Sequence, residues 1–78
     1  MESAVVDDVV RAEWCDVLDV ESPSPDDDFF GLGGNSLLAV TLIERIEARL
    51  EIEIPLEDFF VDGRLATLLD GARSATAR

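Results

Sequence analysis

The chain has 78 residues, enough for one domain with a small core and a narrow margin of stability. Its apolar share of 47% is that of a globular chain rather than a disordered one. Eighteen acids against six arginines, with no lysine and no histidine, give a formal net charge of −12; this repels phosphate backbones, leaves neither a Ser–His pair nor a histidine metal ligand, and favours partners with basic patches.

The charge is uneven: residues 1–36 hold ten acids and one arginine, residues 37–78 eight acids and five arginines. A lone cysteine, Cys15, forms no internal disulfide and fits a reducing compartment. No basic stretch leads into an apolar run, and nothing approaches the roughly 18 apolar residues of a membrane span. A soluble cytoplasmic monomer is expected, bound to neither nucleic acid nor membrane.

The first helix is predicted over Val5 to Val20. Val6, Val10, Trp14, Val17 and Leu18 share one face, while Asp8, Arg11, Asp16 and Asp19 point away. Glu2, Asp7 and Asp8 near its start suit the positive end of the helix dipole. Trp14, the largest apolar group in the chain, reads as a core anchor rather than a ligand contact. Cys15 has no basic sequence neighbour to activate it and reads as an inert or half-exposed thiol.

Glu21 to Asn35 forms a long connection. Pro23 and Pro25 exclude helix, an aspartate run follows at Asp26–Asp28, and at least one of Phe29 and Phe30 should insert into the core to tie the loop down. The aspartates do not follow a calcium-loop pattern: counting from Asp26, Phe30 and Leu37 stand at the fifth and twelfth positions, where ligands belong. A solvated acidic loop is the reading.

Gly33 and Gly34 then supply the freedom of a tight turn, and Asn35 and Ser36 sit where a helix N-cap belongs. The pattern to Leu50 is helical. Leu38, Ala39, Leu42, Ile43, Ile46 and Leu50 lie on one face, and Thr41, Glu44, Arg45 and Ala48 on the other. Leu37 and Val40 break the separation, since both fall outside the apolar arc beside Ser36. A serine at a helix start, flanked by apolar residues the core cannot use, marks a docking surface.

Residues 51–54 alternate too briefly for a sheet, and Pro55 can open a short helix over Leu56 to Phe60. Val61-Asp62-Gly63 is a connector in which Asp62 is a plausible cap. A last helix carries Leu65, Leu68, Leu69 and Ala72 on one face; Gly71 weakens its middle, and Ser74 to Arg78 are expected to fray. The fold class is therefore all-α, a small four-helix bundle of three main amphipathic helices and one short one, with a long loop between the first two.

Asp28-Phe29-Phe30-Gly31-Leu32-Gly33-Gly34-Asn35-Ser36-Leu37-Leu38-Ala39 resembles the attachment motif of the peptidyl carrier proteins of non-ribosomal peptide synthetases, and more distantly that of acyl carrier proteins. Trp14-Cys15-Asp16-Val17-Leu18 resembles the family's first helix. Glu53-Ile54-Pro55-Leu56 with Phe59-Phe60 resembles its approach to the short third helix, so the likeness covers nearly the whole chain. Asn35 stands where the family usually has His or Asp, and Asp62-Gly63-Arg64 replaces a Pro-Thr-like cap.

The resemblance implies a carrier without catalytic activity of its own. A separate phosphopantetheinyl transferase, using coenzyme A and Mg²⁺, would attach 4′-phosphopantetheine to Ser36. The arm would hold aminoacyl, peptidyl or acyl groups as thioesters. An adenylation or acyl-loading enzyme and downstream condensation or tailoring enzymes would then dock through Leu37, Val40, Thr41, Glu44 and Phe59. The chain starts at Met1 and ends without a neighbouring domain, which fits a stand-alone carrier and equally a module cut from a longer chain. The alternative is an unmodified acidic helical adaptor that binds a partner helix through Leu37 and Val40. A serine hydrolase is excluded by size and by the missing histidine.

Overall fold

The computed structural model describes residues 3–77. Four helices follow one another: α1 (Ser3–Leu18), α2 (Ser36–Leu50), α3 (Leu56–Val61) and α4 (Leu65–Thr76). The all-α expectation holds, including the short third helix and the long first loop. α1 packs against both α2 and α4, while α3 touches α2 and α4 more lightly.

α1 lies two residues earlier than its pattern implied. Asp19 turns left-handed at φ 55°, a conformation aspartate tolerates, and the Val20 N–H closes the end by donating to the Cys15 carbonyl at 3.1 Å. With the helix starting at Ser3, Asp7 and Asp8 lie beyond its first turn, and Glu2 lies outside the described residues. Asp7 instead pairs with Arg73 of α4 through two hydrogen bonds of 2.9 and 2.6 Å.

Val6, Val10 and Trp14 are fully buried, and Val9 joins them one turn on from Val6. Glu13 is also buried, which the apolar pattern does not foretell. Its two carboxylate oxygens lie 2.8 Å from Arg45 and 3.0 Å from Arg49, both on α2, so opposite charge balances its removal from water.

The core is completed by Ala39, Leu42, Ile43, Ile46 and Leu50 from α2, by Ile54 and Phe59, and by Leu65, Leu68, Leu69 and Ala72 from α4. Each large side chain fully removed from water contributes about 1.5–3 kcal/mol, a substantial share of the stability of so small a unit. Cys15 is a half-buried free thiol packed against this core. α4 keeps its helix through Ser74 and Ala75 to Thr76, where fraying was expected. Thr76 Oγ donates to the Arg73 carbonyl at 3.0 Å, and the Asp7–Arg73 pair anchors the last turn to α1.

The loop between α1 and α2 is tied at several points. Phe29 is fully buried among Trp14 and Phe59, with ring centroids 5.5 and 5.4 Å away. The aspartates serve turns: Asp27 Oδ2 accepts from the Ser24 N–H at 2.9 Å, and Asp28 Oδ2 from the Gly31 N–H at 2.7 Å. Loop carbonyls also cap α4. Leu65 N–H donates to the Asp27 carbonyl at 3.0 Å and Ala66 N–H to the Pro25 carbonyl at 2.9 Å, while Phe29 N–H returns a bond to the Gly63 carbonyl at 2.8 Å. Asp62, the expected cap, closes α3 instead and grips Arg64 at 2.9 and 2.8 Å. That ion pair holds the Asp62 carboxyl well below the usual carboxylate range.

Candidate functional site: the start of α2

The site begins with backbone hydrogen bonding between residues 28 and 34. Leu32 N–H donates to the Asp28 carbonyl at 3.0 Å, Gly33 N–H to Phe30 at 3.3 Å and Gly34 N–H to Phe29 at 3.0 Å. Gly33 takes φ 103°, which a side chain would strain. Gly34 is required for closeness rather than freedom, because a Cβ there would run into the Phe29 ring. The buried phenylalanine thus fixes the turn that delivers the next two residues.

Asn35 is the cap. Its backbone is extended at φ −136°, and its Oδ1 accepts from the Leu38 N–H at 2.9 Å. Ser36 is therefore released from the capping role that the sequence allowed to either residue. It occupies the first helical position and is exposed, and among the described residues nothing is hydrogen-bonded to its Oγ. The N–H groups of Ser36 and Leu37 precede any intrahelical acceptor, so the positive end of the helix dipole surrounds the hydroxyl. Such an end suits an attached phosphate, and no internal base is in place to make Ser36 a nucleophile by itself.

Leu37 is 76% exposed beside the serine. Val40 and Thr41 are half-buried; Val40 lies outside the packed core, and Thr41 Oγ1 donates to the Leu37 carbonyl at 3.0 Å. Glu44 is exposed further along. Arg45, also on this side, is engaged within the chain by Glu13 and by Asp16 at 2.6 Å.

Phe59 corrects the expected docking set. It is 1% exposed, locked between Trp14 and Phe29, and offers a partner no surface. The exposed neighbours are Phe60 at 41% and Val61 at 89%. Adjacent residues of a helix cannot face the same way, so one phenylalanine of the pair had to turn outward. Phe60 stacks on Phe30 with centroids 6.1 Å apart, and Phe30 packs edge-on against Phe29 at 5.5 Å. An aromatic chain therefore runs from the core beside Gly34 out to the surface at α3. Leu32, 41% exposed, adds to the apolar surface.

Comparison with known proteins fits this geometry. Residues 8–70 match the phosphopantetheine attachment site family. The chain is 38% identical over 76 residues to a probable non-canonical non-ribosomal peptide synthetase, CymA, of Salinispora arenicola. That match covers 94% of this chain but 1% of the synthetase. In structure it resembles a chain from the complex of the phosphopantetheine transferase Sfp with coenzyme A and a peptidyl carrier protein. There the TM-score is 0.79 at 25% identity, over 88% of this chain and 90% of that one. BlmI, a type-II acyl carrier protein from Streptomyces verticillus involved in bleomycin biosynthesis, gives the same TM-score and identity over 92% of this chain and 87% of its own. With four helices in that arrangement and a matched segment that spans the loop and the start of α2, the chain belongs to the phosphopantetheine attachment site family, as a carrier domain of the peptidyl carrier type.

Proposed function

We propose that Ser36 is the point at which 4′-phosphopantetheine is joined to this chain, and that the chain carries aminoacyl or peptidyl groups as thioesters in non-ribosomal peptide synthesis. The observation that carries this reading is the exposed Ser36 hydroxyl, which makes no hydrogen bond among the described residues while Asn35 takes the cap beside it. The helix N–H groups around it stabilise the negative charge of a phosphodiester. Once attached, the arm supplies a terminal thiol; the chain itself supplies position.

Because no base lies ready, a separate phosphopantetheinyl transferase must take the Ser36 proton and bring coenzyme A with Mg²⁺. An adenylation or acyl-loading enzyme and then condensation or tailoring enzymes follow. Leu37, Val40, Thr41 and Glu44 would meet them, with Phe60 in place of Phe59. The cytoplasm suits this work, and the free Cys15 thiol is compatible with it. Among the described residues no helix is long and apolar enough to cross a membrane. Residues 1–78 would act as one carrier unit.

The test is intact mass after incubation with coenzyme A, Mg²⁺ and a transferase of broad specificity. One phosphopantetheinyl group should add to the wild type and none to Ser36→Ala, with unchanged circular dichroism. Equal labelling of both proteins would move the site elsewhere; no labelling of either would favour the adaptor reading.

A further inference from the structure

A second surface feature lies apart from Ser36. Between α3 and α4 runs an open trough with a volume of about 560 Å³, lined only by residues from 53–62 and 67–75. Its floor includes Phe59 and Leu68, each 1% exposed. Its α4 wall is thin at Gly71, where a Cβ would meet only Ile54 Cγ2, at 3.6 Å. Val61 stands at the edge with 89% of its surface in water, the largest exposure among the described large apolar side chains. The packing of the core gives no reason for it.

The charge around this apolar floor has one sign. Glu53, Asp58, Asp62 and Asp70 line the trough, and among the described residues no arginine does. Arg64 is engaged by Asp62, and Arg73 is held by Asp7 at 2.6 Å while standing 3.7 Å from Asp70. Glu53 and Asp58 have no cationic partner among the described residues. A second copy of the chain would bring its own net charge of −12, and nucleic acid or an anionic lipid surface would bring phosphates. The complementary occupant has an apolar stripe flanked by Lys or Arg, the pattern of an amphipathic helix that lies in a groove.

We propose that the α3–α4 trough docks a short basic amphipathic helix of a partner protein, its apolar side over the accessible Pro55, Val61 and Gly71 and its cations against Glu53, Asp58 and Asp70. No lining residue comes from α1, α2 or the loop that presents Ser36. A partner seated there therefore leaves Ser36 and Leu37 open, so the domain can be held at one face while it is worked on at the other. Tethering of this kind raises the effective concentration of the reacting pair without covering the site.

Titration of the nitrogen-15-labelled chain with an amidated amphipathic helical peptide of roughly four turns, leucine on one side and lysine on the other, tests this. A control peptide keeps every lysine and replaces each leucine by serine. Amide shifts should centre on Val61, Gly71 and Ser74, and the control should bind at least about tenfold more weakly. Gly71→Phe, which fills the trough, should weaken the leucine peptide by about tenfold or more. Ala75→Phe does the same from the next turn should the first variant not fold. Ser36→Ala should bind as the wild type does, which keeps this result separate from the attachment reading. Absence of binding, equal binding of the control, or shifts centred on Asp26–Asp28 or Ser36–Glu44 would overturn the proposal. So would a dimer in sedimentation that Gly71→Phe dissociates, because the occupant would then be a second copy.

Discussion

The Phe29 ring fills the space that a side chain at Gly34 would need, and the Gly34 N–H donates to the Phe29 carbonyl at 3.0 Å. One residue of the core and one of the turn thus hold each other, and Ser36 follows two positions later. Gly34→Ala should cost about 1–3 kcal/mol by overpacking. Because the strain falls on the turn, modification of Ser36 should slow in the protein that remains folded. Urea midpoints and labelling rates on the same samples check both parts; a variant as stable as the wild type would mean that the ring moves aside freely.

The side chains of α2 and α3 divide into buried ones and exposed ones proposed to meet partners. Leu42→Ala or Ile46→Ala, each at a fully buried position, should lower stability by about 2–5 kcal/mol, and Phe59→Ala by about 3–5 kcal/mol. Leu37→Ala and Phe60→Ala remove side chains that are 76% and 41% exposed, so melting should shift little while loading slows. Val40→Ala, half-buried but off the core, should fall nearer to Leu37→Ala than to Leu42→Ala. If Leu37→Ala unfolds the domain and Leu42→Ala does not, the assignment of the contact face is wrong.

Asn35 satisfies the Leu38 N–H at 2.9 Å. Asn35→Ala should therefore destabilise by about 1 kcal/mol, and Asn35→Asp, which keeps an acceptor at the same place, should recover most of the loss. Thermal melts of the three proteins decide this. Equal stability of the alanine and aspartate variants would show that the side-chain cap contributes nothing.

Asp7 and Arg73 join the first helix to the last. The hydrogen bond from Arg73 holds the Asp7 carboxyl below its ordinary value of 3.8, assisted by the charges of Arg73 and Arg11 against the opposing effect of burial. A carboxyl depressed in the folded state adds stability that is fully present above the unfolded value and disappears as pH falls through the folded one. Asp7→Asn should thus be less stable than the wild type at neutral pH, with the gap closing as the pH is taken below 3.8. Urea midpoints across that range give the difference directly. A gap that stays constant to strong acid would remove the ion pair as its cause.

The sequence by itself determined which segments become helices and which face of each is apolar. Leu42, Ile46, Leu65 and Leu68 recur at helical spacing, and burial of an amphipathic stripe leaves them one place to go. It also marked Ser36, because Gly33-Gly34-Asn35-Ser36 joins turn to helix start within four residues, where the interactions are local. What only the tertiary structure decided concerns groups distant in sequence. Whether Phe59 or Phe60 turns inward depends on where Trp14 and Phe29 stand, and the burial of Glu13 depends on Arg45 and Arg49 more than thirty residues away. The start of α4 was read from its neighbour Asp62, yet its N–H groups are taken by the carbonyls of Pro25 and Asp27. Periodicity describes each helix against an apolar background in general; it does not say which side chain of another segment supplies that background, and that choice set both which side chains stay exposed and how the helices are capped.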